Sequence, residues 1–318
     1  MSAGCQNCYA MKQAHRFSGE GKAYEGLTEL GPQGPRWTGK VRLVPDLLNA
    51  PMRWKKPCRI FVNSMSDLFH EDVPEEFITA VFGVMLTRPD HIFQILTKRP
   101  RRMLEYLTGI RMLGGLGPYI RSVRIDGDRT LPNFFNAVMK TAVYRGRRHR
   151  AMGDPWMSVF NAAACNMNNK PLSNVWLGVS VEDQQTADER IPILLQTPAA
   201  VRWVSAEPLL GPIDLSPWLY DHRECTCCEV IGGGHQMGCM FYGEGKKFIN
   251  ASPDLLDWVV TGAESGPRAR QMNEDWVRSL RDQCQSARIA FFYKQNAIRG
   301  KKIGTPQLDG HRWTEYPR

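Results

Sequence analysis

Val175-Trp176-Leu177-Gly178-Val179-Ser180-Val181-Glu182-Asp183 is almost wholly apolar as far as Val181 and then turns acidic. A strand with water on one face alternates apolar and polar side chains, whereas a strand covered on both faces, as in a parallel sheet, does not. Reading outward from the first six residues of this stretch, 175–180, comparable β-rich runs recur at 59–64, 92–97, 201–205, 258–262 and 289–294. Helical patterns separate several of them. Residues 72–86 place Phe77, Ile78, Val81, Phe82 and Met85 on one face, with Asp72 and Glu75 near the start. Residues 273–287 set Trp276, Leu280 and Cys284 on one stripe, which makes Cys284 a core residue. Residues 184–195 form a weaker pattern, because Pro192 is expected to kink or interrupt it.

Strand–helix alternation of this kind predicts a parallel α/β fold, a full or partial (β/α) barrel. A doubly wound nucleotide-binding sheet is the alternative. Against it, no Gly-x-Gly-x-x-Gly follows any of the strands and no Walker-type lysine loop is present. The chain reads as a single barrel-like domain, residues 1–318, interrupted by two insertions. One, at about 109–170, is rich in Gly, Arg and Asn; the other, at about 217–255, is rich in Cys and Gly.

Each predicted strand ends in polar residues. The first leads into Asn63, Ser64 and Asp67, the second into Lys98, the third into Ser180 and Glu182. The fourth leads into Ser205 and Glu207, the fifth into Glu264 and Ser265, and the sixth ends at Lys294. In a parallel barrel these positions gather at the C-terminal mouth, where active sites are built. Any one of them alone reads more simply as a helix cap or a solvated turn. Six strand ends with such tails point to a site, and the three glutamates there are expected to raise one another's pKa unless a cation compensates.

The chain begins Gly4-Cys5-Gln6-Asn7-Cys8-Tyr9-Ala10 within its first ten residues. A Cys-x-x-Cys step lets two thiolates converge on one metal or cluster. The pair supplies half of a closed zinc site, or two of the three thiolates of a three-cysteine iron–sulfur site, so the start of the motif is expected upstream of Met1. Cys225, Cys227, Cys228, His235 and Cys239 form a second group inside the later insertion. Cys225, Cys228, His235 and Cys239 suit a zinc site, an auxiliary iron–sulfur cluster or a set of free thiols. Cys58 and Cys165 read as packing residues.

Composition is that of a globular protein, 42% hydrophobic and 23% charged, and no apolar run approaches the ~18 residues that span a bilayer. No secretory leader pattern is visible and the nine cysteines are an odd number, so cytoplasmic residence is expected. The net charge of +9 favours a polyanionic partner, nucleic acid or a nucleotide. Arg145, Arg147, Arg148 and Arg150 cluster beside Tyr144 and His149, and Lys98, Arg99, Arg101 and Arg102 follow a strand. The first cluster is the candidate phosphate-contacting run.

The blocks GCQNCYA, RIFVNSMSDLFHEDVP, FQILTKRP, VWLGVSVEDQ, VSAEPLLGPID, DWVVTGAESGPRARQM, WVRSLRDQC and LDGHRWTEYP carry a family resemblance. The chain resembles an uncharacterised phage-associated family with a three-cysteine N-terminal motif, which is similar to the radical S-adenosylmethionine barrel enzymes. The resemblance covers nearly the whole chain apart from the two insertions. It implies a [4Fe–4S] cluster ligated by Cys5, Cys8 and a further cysteine that follows a Trp-Asn-Pro segment upstream of Met1. It also implies S-adenosylmethionine at the open iron, an electron donor, and radical chemistry on a nucleic acid or nucleotide. Tyr9 would flank the cluster, and Asn63, Ser64, Asp67, Ser180, Ser205, Ser265 and Lys294 would line the cofactor site. Lys98, Glu182, Glu207 and Glu264 would serve catalysis, the acids attracting the cofactor's cationic groups. The competing expectation is a non-catalytic, metal-stabilised nucleic-acid-binding protein. A zinc hydrolase is the weakest reading, because only His70 lies near a strand end.

Overall fold

A computed structural model describes residues 2–32, 34–112, 171–220, 255–264, 269–298 and 301–317. Arg145, Arg147, Arg148, Arg150, Cys165, Cys225, Cys227, Cys228, His235, Cys239 and Ser265 lie outside the described residues. The fold is mixed α/β around a mostly parallel seven-stranded sheet.

In chain order the elements are α1 (Tyr9–Arg16), the hairpin strands β1 (Thr28–Gly31) and β2 (Gly34–Trp37), β3 (Arg59–Val62), α2 (Glu75–Thr87), β4 (Ile92–Thr97) and α3 (Pro100–Met112). There follow β5 (Val175–Val181), α4 (Gln184–Gln196), β6 (Val201–Ala206), α5 (Ser216–Leu219), β7 (Trp258–Gly262), α6 (Glu274–Ala287) and β8 (Ala290–Ile298). The chain closes with β9 (Lys301–Gly304), β10 (Gln307–Leu308) and β11 (His311–Arg312). Strand order in the large sheet is β3-β4-β5-β6-β7-β8-β9, and β9 runs antiparallel to β8. That antiparallel partner is why β8 extends beyond the expected end at Lys294.

The chain divides into two compact units. The first comprises Met1–Asn7, Val179–Gln196 and Val201–Arg318; the second comprises Cys8–Gly178 and Thr197–Ala200. In the first unit, β6, β7 and β8 pair in parallel, with Trp203 opposite Trp258 and Trp258 opposite Ala290. All five residues of β7 are buried, the polar Thr261 included, as a strand covered on both faces requires. Helix α6 is capped at its start by Asn273, whose side chain accepts from Asp275 N at 2.9 Å. It buries Val277, Leu280 and Cys284. The expected stripe placed Trp276 there instead; Trp276 is half-buried at the stripe's edge, one helical step away. Burial pushes the Cys284 thiol well above its ordinary range, consistent with a packing role. Helix α4 runs uninterrupted through Pro192, because Ala187, Ile191 and Leu194 fasten it on both sides of the proline.

In the second unit, β3 and β4 pair in parallel from Arg59 opposite Ile92 onward. Helix α2 is buried continuously from Ile78 to Met85 rather than along one stripe, and Phe77 is only half-buried. Thr79 Oγ1 and Tyr106 Oη of α3 share a hydrogen bond of 2.7 Å that satisfies both buried hydroxyls. Asn174, immediately before β5, aims Nδ2 at the carbonyls of Met85, Arg88 and His91, at 3.0, 3.1 and 3.2 Å. These carbonyls belong to the last turn of α2 and the loop after it, so one buried amide satisfies groups that a helix end leaves without partners.

Replacing Asn174 with Ala strands these carbonyls and is expected to lower unfolding free energy by about 2 kcal/mol. Urea denaturation measures it; a loss within the error of the method would mean that water replaces the amide.

Candidate functional site

The strand ends of the first unit are held together by the amino-terminal segment, residues 2–7. Glu182, just past β5, has a fully buried side chain. Its Oε1 accepts from Ser2 Oγ at 2.6 Å and its Oε2 from Arg190 Nη1 of α4 at 3.1 Å. The same guanidinium donates to Ser180 O at 2.6 Å. The next residue, Asp183, caps α4: Oδ1 accepts from Thr186 N at 2.9 Å, and Asp183 N donates back to Thr186 Oγ1 at 3.1 Å. Capping fixes where α4 begins, and so where Arg190 stands relative to Glu182.

Glu264, past β7, is the second anchor. Arg270 Nη2 donates to its Oε1 at 2.7 Å and Arg270 Nε to its Oε2 at 3.1 Å, a two-pronged pair. Arg270 N and Asn7 Nδ2 add further bonds to Oε2, at 2.9 and 3.1 Å, and Arg270 Nη2 also reaches Ala3 O at 2.9 Å. Cys5 lies between these attachments, half-buried, with Sγ 3.6 Å from Ser2 Oγ. Gly4 has to be glycine here. A Cβ on it would stand 2.7 Å from Glu182 Oε1 and 3.0 Å from Pro208 Cδ.

Glu207, past β6, is built differently. Its Oε2 accepts from Lys294 Nζ at 2.8 Å and from Ser205 Oγ at 3.2 Å. Its Oε1 is buried and has no hydrogen-bond partner among the described residues. Gly262 leaves room for that oxygen, since a Cβ there would lie 2.6 Å from it. Glu182, Glu207, Glu264, Ser180, Ser205 and Lys294 therefore lie in the unit that also holds residues 2–7, and of the three acids Glu182 and Glu264 bond that segment.

The acidic lining expected from sequence is not open: Glu182 pairs with Arg190, Glu264 with Arg270 and Glu207 with Lys294. Burial acts to raise the Glu264 carboxyl, but the bonds from Arg270 and Asn7 outweigh it and hold the group below its ordinary range. Ser2, Gly4, Asn7, Arg190, Arg270 and Gly262 were not legible as site residues. Arg190 and Arg270 lie eight and six positions from their acids, a separation with no signature in a helix or strand pattern.

In the second unit the ends of β3 and β4 are tied by Asp67. Its Oδ1 accepts from Phe69 N and Thr97 Oγ1, and its Oδ2 from Lys98 N and Arg99 Nη1, at 2.7 to 3.1 Å. Both carboxylate oxygens are occupied, so Asp67 orders the loops. Arg99 Nε also donates to Glu71 at 2.8 Å, and this bond foremost holds the Glu71 carboxyl below its usual range. Asn63 takes the left-handed conformation, φ 55°, which asparagine tolerates, and donates to Ser66 Oγ at 2.7 Å. Tyr9 Oη donates to Ser64 O at 3.0 Å, fixing the start of α1, where half-buried Cys8 is the N-cap residue.

Over residues 1–317 the sequence matches the family model described as a protein of unknown function, DUF5131, and the chain belongs to that family. Comparison with curated proteins gives no match, and comparison with solved structures gives none either. Among the described residues no helix is long and apolar enough to cross a membrane.

The Glu264 pair sets a pH dependence. Its folded carboxyl lies below the ordinary value of 4.5, so the pair stabilises the first unit fully above that pH and ceases to as pH falls through the folded value. Glu264→Gln is therefore expected to lower the thermal midpoint at neutral pH, with the deficit shrinking in acid below about 4.5. In the same variant Cys5 should alkylate faster, while buried Cys284 stays inert. A deficit that persists unchanged in acid would trace instead to lost packing.

Proposed function

We propose that this chain is an iron–sulfur protein of the radical S-adenosylmethionine type, with its parallel sheet part of a full or partial (β/α) barrel, and that it acts on nucleic acid or a nucleotide in the cytoplasm of a phage- or prophage-bearing cell. The observation that carries the reading is the seating of Cys5: residues 2–7 lie on the ends of parallel strands, fastened by Glu182 and Glu264.

The donor chemistry suits a cluster. Cys5 and Cys8 are two half-buried thiols three residues apart, one beside a hydroxyl and one at a helix start. They would supply two of the three thiolates that the resemblance implies. No group of three or more candidate metal-binding side chains occurs among the described residues. When bound, such a cluster, reduced by an electron donor, delivers an adenosyl radical from the sulfonium cofactor. The protein's own carboxylates divide the remaining work. Glu182 and Glu264 hold the cysteine segment in place. Glu207, with one buried oxygen lacking a partner among the described residues, is the acid left to accept a hydrogen bond from cofactor or substrate. Lys98, Asn63, Ser64 and Asp67 act in the second unit by ordering loops at the ends of β3 and β4.

The complete pairing of the three glutamates favours a second reading, a metal-stabilised nucleic-acid-binding protein without catalysis. Two measurements separate the readings. Anaerobic reconstitution with iron and sulfide should produce the broad visible absorbance of an iron–sulfur cluster. Cys5→Ala and Cys8→Ala should abolish it, and Cys58→Ala and Cys284→Ala should leave it intact. Iron content equal in all five proteins would sink the cluster assignment. A cluster that forms but yields no 5′-deoxyadenosine on reduction with S-adenosylmethionine would favour the binding protein.

A further inference from the structure

Between Leu47 and Ser66 the chain carries four cations and no acid. Residues 53–59 within it, Arg53-Trp54-Lys55-Lys56-Pro57-Cys58-Arg59, are all exposed, and Trp54 is 44% exposed. This stretch leads into the start of β3, so it lies at the opposite end of that strand from Asn63 and Ser64.

The stretch is held in place from below. Arg88 donates through Nη2 to Trp54 O at 2.7 Å and through Nη1 to Pro51 O. His91, fully buried, takes Cys58 N on Nδ1 at 3.3 Å, which leaves its proton on Nε2 to bond Pro51 O at 3.3 Å. The Trp54 ring stands edge-on to the His91 ring, with centroids 6.1 Å apart. The indole is 44% exposed and stands on a backbone fixed by Arg88. Arg88 is occupied by Asp90, at 2.6 Å, so the nearby acid is neutralised locally. Arg53, Lys55 and Lys56 form no ion pair among the described residues.

We infer that Arg53, Trp54, Lys55 and Lys56 are a docking surface for single-stranded nucleic acid, with Trp54 stacking on a base and the three cations meeting successive phosphates. The inference rests on the nucleic-acid part of the proposed function and narrows it from nucleotide to polymer. A nucleotide carries its phosphates at one end of the sugar, whether one or three, whereas cations on both sides of Trp54 in the chain are matched by phosphates that flank a stacked base in a strand. An indole face binds an unstacked base, which a single strand supplies and a duplex does not. An anionic membrane is the competing partner for tryptophan among lysines. Within residues 53–59 Trp54 is the one large apolar side chain among four cations, and the exposed Leu47 and Phe61 lie outside that run, so the membrane is retained as an outcome of the test.

Fluorescence anisotropy of a labelled oligothymidylate with the full chain tests this across a salt series. Arg53→Ala/Lys55→Ala/Lys56→Ala should weaken binding and flatten the log–log salt slope by about 2, at roughly 0.7 per lost contact. Trp54→Ala should weaken binding roughly tenfold at every salt concentration and leave the slope unchanged. All four positions are exposed, so thermal midpoints should match the wild type. If wild type binds and both variants bind equally well, the surface is wrong while the nucleic-acid reading stands. If wild type binds no oligonucleotide, both fail. Competition by adenosine monophosphate as effective per phosphate as by the oligomer would overturn the polymer assignment. Binding to phosphatidylserine vesicles that the triple variant loses, without oligonucleotide binding, would overturn it in favour of a membrane.

Discussion

Arg270 grips both oxygens of Glu264 and with the same guanidinium reaches the backbone of Ala3. A guanidinium presents donors in a fixed planar fork, so it can satisfy a carboxylate and still direct a donor elsewhere. That geometry makes one side chain serve both as counter-ion and as clamp. Without Arg270, Glu264 is a nearly buried charge lacking compensation, and the segment bearing Cys5 loses one of its attachments. At the neighbouring Ser2 the work is divided: Arg190 neutralises Glu182, and the carboxylate itself accepts from the serine. Everything proposed for Cys5 depends on these two ion pairs, because residues 2–7 contain no core residue that could hold them in place by packing.

Close approach is the second constraint. Gly4 and Gly262 each sit where a Cβ would collide with a glutamate oxygen, of Glu182 and of Glu207. Their role is to leave space for a carboxylate, which is a different use of glycine from a turn. The consequence differs between the two acids. Glu182 spends both oxygens on protein groups, while Glu207 keeps one oxygen buried and without a partner among the described residues. An acceptor in that state costs free energy unless something arrives to bond it, which is why it stands apart from the other two glutamates.

The two ends of β3 carry different chemistry. At its C-terminal end, Asn63, Ser66 and Asp67 form a loop satisfied by its own bonds. At its N-terminal end, Arg53, Lys55 and Lys56 form no ion pair among the described residues, on a stretch fixed by Arg88 and His91.

Local pattern was readable directly. The strands at 92–97 and 258–262 occupy the positions expected, because a continuous apolar run can be buried on both faces only in a covered sheet. Cys284 could be placed in the core from its spacing to Leu280, and the polar residues beyond each strand could be grouped from topology. Trp276 and Phe77 were misplaced because an amphipathic stripe is wide, and packing decides which edge of it is covered. Pro192 was expected to disturb a helix that in fact persists, since burial of Ile191 and Leu194 outweighs one missing hydrogen bond. The pairing of each glutamate could not be read at all. Ser2 meets Glu182 across 180 positions and Asn7 meets Glu264 across 257, separations fixed only by strand order and register. Sequence determined which residues were available at the strand ends. Tertiary structure decided which of them were neutralised, because a charge finds its partner through space and periodicity records only neighbours along the chain.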